Sequence, residues 1–359
     1  MLNNLVKSQL SIFVIPDMNH INPSIKKRLD SQTWVIKPLS YYIDGIINKG
    51  DFYILSEGIT LLESEIEEHK HLSLQLLKQC YLHRQPSWRL GITGSPGVGK
   101  STFIDNMAGH FTDQGHKVGI LTIDPSSKEG KGSILGDKTR MEELMENPSI
   151  FIRPSPSNMH LGGVNRMTSE AVVLCEAAGL TRILIETVGV GQSEIEVSDC
   201  TDVTLLLVLP GSGDSLQGIK RGISEQADLV IVHKADGDRK PLALETVRSY
   251  REALSMMPDK KSETVIQYSS LNDEFRNSLI ETLDVLDRDS LNMRENKRSI
   301  QNKKWFYSHL EEHISSLCRR GLMDQQIQNT INEHIDQKNP FSAFEKVSDM
   351  LSVDIRLNH

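Results

Sequence analysis

Gly94-Ser95-Pro96-Gly97-Val98-Gly99-Lys100-Ser101 is the stretch that decides the fold. It satisfies the spacing G-x-x-x-x-G-K-[ST] and directly follows an apolar run at 89–93. Glycines at these positions let successive backbone N–H groups point inward at phosphate oxygens. The lysine then reaches the β- and γ-phosphates, and the serine hydroxyl serves a magnesium ion. Gly94, Ser95, Pro96, Gly97, Val98, Gly99, Lys100, Ser101 and the adjoining Thr102 are therefore the candidate phosphate-binding residues, with Ser101 also a metal ligand. A helix opening near Ser101 adds the positive end of its dipole to the same spot.

Six further apolar runs follow the pattern of 89–93, at 118–123, 150–153, 183–188, 203–209, 229–233 and 264–268. Most lead within a few residues into Gly, Asp, Pro or Ser and then a helical pattern. Short continuous apolar runs are what strands buried on both faces look like. The fold expected is α/β, a P-loop NTPase with a largely parallel sheet flanked by helices, in which ligands bind at the carboxyl ends of the strands. Residues 1–87 are expected to form a helical N-terminal extension, with one amphipathic helix over 55–81 carrying Leu61, Leu62, Ile66, Leu72, Leu74, Leu76 and Leu77. The P-loop domain spans 88–290. Residues 291–359 turn helical and charged, with helices at 303–320, 324–336 and 341–351 and a break at Pro340, and fit an arm for self-association.

Three more motifs fall at expected strand ends. Ile183-Leu184-Ile185-Glu186 ends an apolar run in an acid, with Gly189 three residues on, so Glu186 is a candidate Mg²⁺ carboxylate and Gly189 a candidate γ-phosphate contact. Asp124 leads into a long Gly/Ser/Lys segment containing Asp137, Lys138 and Arg140. Asp124 and Asp137 are candidate metal-shell carboxylates, and Arg140 a candidate phosphate or partner contact. His233-Lys234-Ala235-Asp236 supplies x-K-x-D. In guanine-specific GTPases the motif reads N-K-x-D, and its Asp accepts from both N1–H and the 2-amino group of guanine, donors that adenine lacks. A carboxylate left unpaired by the wrong base makes such a site selective. Ser269-Ser270-Leu271, after the last apolar run, can present a backbone N–H to guanine O6.

Composition narrows the class. The chain has 359 residues, of which 38% are hydrophobic and 25% charged, as in a globular protein. A net charge of −8 disfavours a nucleic-acid partner. Its four cysteines show no paired spacing, so neither a disulfide framework nor a cysteine-rich metal site is expected, which fits a reducing, cytoplasmic setting. The apolar run near the start, 10–15, is too short for a membrane span or a signal sequence.

Motifs in this order resemble those of the MeaB/ArgK family of G-protein chaperones. The likeness runs over residues 41–351. It includes Ile59-Thr60-Leu61-Leu62-Glu63-Ser64, Gly132-Ser133-Ile134-Leu135-Gly136-Asp137-Lys138-Thr139-Arg140-Met141, the stretch from Glu186 to Glu194, and Pro210-Gly211-Ser212-Gly213-Asp214 with Lys220 beyond. The resemblance implies a homodimeric GTPase that docks on a cobalamin-dependent acyl-CoA mutase and gates loading, protection or reactivation of its cofactor. It implies that Arg140, Asp214 and Lys220 relay nucleotide state to that partner, that Asp124, Asp137 and Glu186 surround the metal, and that the C-terminal helices are a dimerisation arm. The chain departs from the family at His233, where Asn is usual, and at Ser270, where Ala is usual. A histidine at 233 retains a ring N–H for guanine N7, so weakened guanine affinity with retained specificity is expected.

The reaction expected is Mg²⁺-assisted hydrolysis of GTP to GDP, with Lys100 and the P-loop amides spreading the charge and Gln192 positioning water. Two rivals use the same loop. A kinase would need an acceptor site, and a nickel-insertion GTPase would need a His-rich tract or Cys/His pair that the dispersed histidines do not supply. A non-hydrolysing scaffold, kept open by His233, would turn over no nucleotide.

Overall fold

The computed structural model describes residues 36–64, 66–124, 144, 146–156, 163–187, 197–211, 227–255 and 264–322. Seven strands form one sheet: β1 (Trp88–Gly94), β2 (Val118–Asp124), β3 (Ile150–Pro156), β4 (Arg182–Thr187), β5 (Val203–Val208), β6 (Leu229–His233) and β7 (Val265–Tyr268). Their order is β3-β2-β4-β1-β5-β6-β7, and every neighbouring pair is parallel. All seven apolar runs read from sequence are strands. β5 and β6 are buried along their whole length, as the inner strands of a two-sided sheet must be.

Alternate residues of each strand face opposite layers. Leu90, Ile92, Ile120, Leu184, Leu205 and Leu207 pack with Phe103, Ile104, Met107 and Phe111 of helix α4 (Lys100–Asp113). Leu121, Ile183 and Ile185 face the other layer, among Ala171, Leu174 and Cys175 of α5 (Gly163–Ala177). Farther along the sheet, Leu206, Val208, Val230 and Val232 meet Ala243, Val247, Tyr250 and Leu254 of α6 (Lys240–Ser255). Each such aliphatic side chain contributes about 1.5–3 kcal/mol when fully buried.

The N-terminal layer is helical, but the single helix expected over 55–81 is two. After α1 (Leu39–Ile43) and a π-helical turn at Asp44–Lys49, α2 (Phe52–Leu62) and α3 (Glu67–Leu82) are separate. Asp51 opens α2 by accepting the N–H groups of Tyr53 and Ile54. Ser64 makes the break: its hydroxyl accepts the Ile66 N–H at 3.3 Å and pairs with His69 Nδ1 at 2.6 Å, replacing helical bonds with local ones. Arg153 of β3 fastens α2 through Ser56, Thr60 and Glu63.

Two compact units divide the chain at Arg298/Ser299. That boundary falls inside α7 (Asp273–Leu322), a single helix that also passes through position 290. Within the second unit, Trp305 and His309 stack with ring centroids 5.1 Å apart, and Ile300, Phe306, Tyr307 and Ile314 are exposed. The segments 324–336 and 341–351 lie outside the described residues. Among the described residues, no helix is long and apolar enough to cross a membrane.

Candidate nucleotide site

The candidate residues gather at the carboxyl ends of β1, β4, β6 and β7. β1 ends at Gly94 with φ +146°, and a Cβ there would stand 2.3 Å from the Leu207 carbonyl oxygen on β5. Only glycine fits so close to a neighbouring backbone, so the chain leaves the sheet at that point. It re-enters regular structure at Gly99, the N-cap of α4. The buried Lys100 starts that helix, and its Nζ donates to the carbonyls of Gly94 at 2.8 Å and Ser95 at 3.4 Å. The ammonium thus bonds two carbonyls of the loop, for which anionic phosphate oxygens are a stronger substitute. Ser101 and Thr102 occupy the first helical turn, half-buried beside it.

Glu186 lies in β4, in register with Ile92 of β1 and Thr122 of β2. Its buried carboxylate therefore stands one strand away from the P-loop. The next residue, Thr187, donates to Thr93 Oγ1 at 3.1 Å, with both hydroxyls fully buried, which ties the end of β4 to the end of β1. Asp124 is the last residue of β2, beside β4, although its side chain is outside the described set. A serine hydroxyl and carboxylates are oxygen donors, the kind a hard cation such as Mg²⁺ takes alongside phosphate and water. Among the described residues no group of three His, Cys, Asp or Glu side chains could hold a metal by itself. A Mg²⁺ bound by one or two side chains and a phosphate needs no such group. Gly189, Gln192, Asp137, Arg140, Asp214 and Lys220 lie outside the described residues.

At the end of β6, two consecutive side chains reach back to the P-loop. His233 Nδ1 is 2.7 Å from the Val98 carbonyl oxygen, and Lys234 Nζ donates to the Gly97 carbonyl at 2.9 Å. Lys234 takes φ +60°, the one positive φ among the described non-glycine residues, a strained setting of the sort that clusters at binding sites. Ala235 N–H donates to the Tyr268 carbonyl at 3.2 Å, and the Tyr268 ring stacks on His233 with centroids 5.3 Å apart. The loops after β1, β6 and β7 are thereby one tied assembly. Asp236 is half-buried and its carboxylate makes no capping bond to the turn that follows, Gly237–Arg239.

After β7, Ser269 organises a turn. Its hydroxyl accepts the Leu271 N–H at 3.2 Å and its carbonyl accepts the Asn272 N–H at 3.3 Å, while Arg276 Nη2 donates to the Ser270 carbonyl. Leu271 is 84% exposed at its tip, an apolar surface suited to a flat ring. Sequence reasoning did not single out Tyr268 or the Thr93–Thr187 pair. The signal for Tyr268 was a strand ending in an aromatic residue immediately before Ser269.

Burial pushes the His233 imidazole below its ordinary range, outweighing the Val98 bond that pulls it upward. The ring is therefore neutral near pH 7.

Comparison with known proteins agrees with this geometry. Residues 55–323 match the family model described as methylmalonyl-CoA mutase-associated GTPase MeaB. The methylmalonic aciduria type A homolog, mitochondrial, of Mus musculus is 42% identical over 282 residues, covering 74% of this chain and 68% of the mouse protein. The GTPase ArgK of Escherichia coli K12 is 38% identical over 275 residues, covering 75% and 82%. Among solved structures, a LAO/AO transport system kinase superposes with a TM-score of 0.66 at 27% identity, over 89% of this chain and 99% of that one. A P-loop joined to an x-K-x-D loop, on a seven-stranded parallel sheet and under a family match of this length, leads to one assignment: the chain belongs to the MeaB family of P-loop GTPases.

Proposed function

We propose that this chain hydrolyses GTP as a switch and acts as a cytoplasmic, homodimeric chaperone that gates cofactor loading, protection or reactivation of a cobalamin-dependent acyl-CoA mutase. The observation that carries the nucleotide part is the pair of bonds from His233 and Lys234 to the Val98 and Gly97 carbonyls. They bring a guanine-type motif against a phosphate-type loop. The partner rests on the family description and on the resemblance of the segments around Arg140, Asp214 and Lys220. Self-association is supported by the exposed Ile300, Tyr307 and Ile314, which repeat every seven residues along α7.

In this reading the P-loop amides and Lys100 take up charge that develops on the phosphates, and Asp236 selects guanine. Ser101 and Glu186, with Asp124 and Asp137, would hold Mg²⁺, which when bound supplies charge neutralisation at the phosphate oxygens. Gln192 would orient the attacking water and Gly189 would sense the γ-phosphate. Thr187 precedes that segment, so its bond to Thr93 keeps the switch anchored to the P-loop strand.

The test is GTP turnover by the purified chain, with and without a cobalamin-dependent acyl-CoA mutase. Slow turnover accelerated by the mutase supports both parts. Slow turnover that the mutase leaves unchanged removes the partner, and no turnover removes the GTPase. A kinase reading is favoured by one observation, the fold shared with the solved LAO/AO transport system kinase. Phosphate transferred to a protein or small molecule, rather than released to water, would establish it.

A further inference from the structure

The imidazole of His233 stands where three segments of the site meet, and its two nitrogens differ. Nδ1 is 2.7 Å from the Val98 carbonyl oxygen. A carbonyl can only accept, so Nδ1 carries the hydrogen. Nε2 is buried and has no hydrogen-bond partner among the described residues. A second N–H at that position would be a buried, unpaired donor on a charged ring, which costs more than an unpaired ring acceptor. Of the nearby charges, Lys234 opposes a cation and Asp236 favours one. The ring is also wedged. A Cβ on Gly99 would lie 2.6 Å from its Cε1 atom, and Tyr268 stacks on it with an interplanar angle of 20°.

A neutral ring has one N–H, and this one is committed to the P-loop. None remains for guanine N7. Resting on the reading of this site as a guanine-nucleotide site, we propose that His233 is a positioning residue: as the neutral Nδ1–H tautomer it locks the base loop onto the P-loop through Val98 and makes no hydrogen bond to the purine. Base selection then falls to Asp236 and the 269–271 turn, while His233 sets how long nucleotide stays bound.

The test compares wild type, H233N and H233F as full chains, measuring fluorescent GDP release and the affinities for GDP and ADP. Phenylalanine fills the ring slot without an N–H, and H233F should release GDP about tenfold faster while keeping its preference for GDP over ADP. H233N, whose carboxamide can again donate to Val98, should restore slow release. In wild type, ¹⁵N-histidine NMR should show one ring, missing in H233N, protonated at Nδ1 and bare at Nε2 at neutral pH. Wild-type release by H233F, loss of its GDP preference, or a proton on Nε2 would each overturn the proposal. Should H233F not fold, the tautomer and H233N decide. Wild-type protein that binds no guanine nucleotide would overturn the functional reading as well, whereas normal binding with an unaffected H233F overturns this inference alone.

Discussion

Arg298 grips Asp202 with two parallel hydrogen bonds, Nε to Oδ1 at 2.8 Å and Nη2 to Oδ2 at 2.6 Å. The carboxylate also accepts the Arg89 N–H at 2.9 Å, and Arg89 holds the buried Glu176. This network lies at the amino ends of β1 and β5, the opposite end of the sheet from the P-loop. Arg298→Ala leaves Asp202 and Glu176 short of a cation in a buried place, a loss of about 3 kcal/mol. The urea midpoint should fall accordingly while GDP affinity stays at the wild-type value. An unchanged midpoint would show that the ion pairs are not holding α7 to the sheet.

Lys100→Ala removes the ammonium that donates to the Gly94 carbonyl at 2.8 Å. Phosphate release from GTP should drop to near background, a loss on the order of a hundredfold or more. Retention of most activity would place the chemistry elsewhere.

Asp236→Asn exchanges an acceptor for a donor where guanine presents its N1–H and 2-amino group. GDP affinity should fall at least tenfold, and the xanthine nucleotide, which has a carbonyl in place of the amine, should bind the variant better than the parent. Equal affinity of the parent for GDP and ADP would refute the role of this carboxylate in base selection.

Acid should weaken the fold through two histidines. Burial lowers the proton affinity of both His233 and His116 below the ordinary 6.5. The unfolded chain therefore takes up protons first as pH drops through 6.5, and stability falls across the window from there down to the folded-state values. Chemical denaturation at pH 7.5 and 5.5 measures this. The double variant H116Q/H233N should show a smaller decline between the two.

The sheet was legible because its strands, buried on both faces, stand out as unbroken apolar runs, Val203–Val208 most clearly. The strings read as phosphate and base motifs stand out because each is short and local, and the structure brings them together at the ends of β1 and β6. The break after α2 was not, since it turns on Ser64 preferring its own local bonds to helical ones. Nor were the Arg298–Asp202 and His233–Tyr268 contacts, which join residues far apart in sequence and leave no periodic trace. Asp124 shows the same limit: its motif is local, but its role depends on which strands end beside it.

The phosphate loop leaves β1 early in the chain, whereas the residues that tie it down, and those proposed to face the base, follow β6 and β7. On the ribosome the cradle is therefore made well before its ties. Until His233 and Lys234 have emerged, the Val98 and Gly97 carbonyls lack their donors, and until the 269–271 turn has emerged the proposed base pocket lacks one wall. A nascent chain arrested short of that turn would, on the proposed reading, already carry Asp236 for base selection but lack the second side of the base pocket. On the proposed reading, tight capture of guanine nucleotide would mark completion of the sheet, so the same ligand would report that the domain has finished folding.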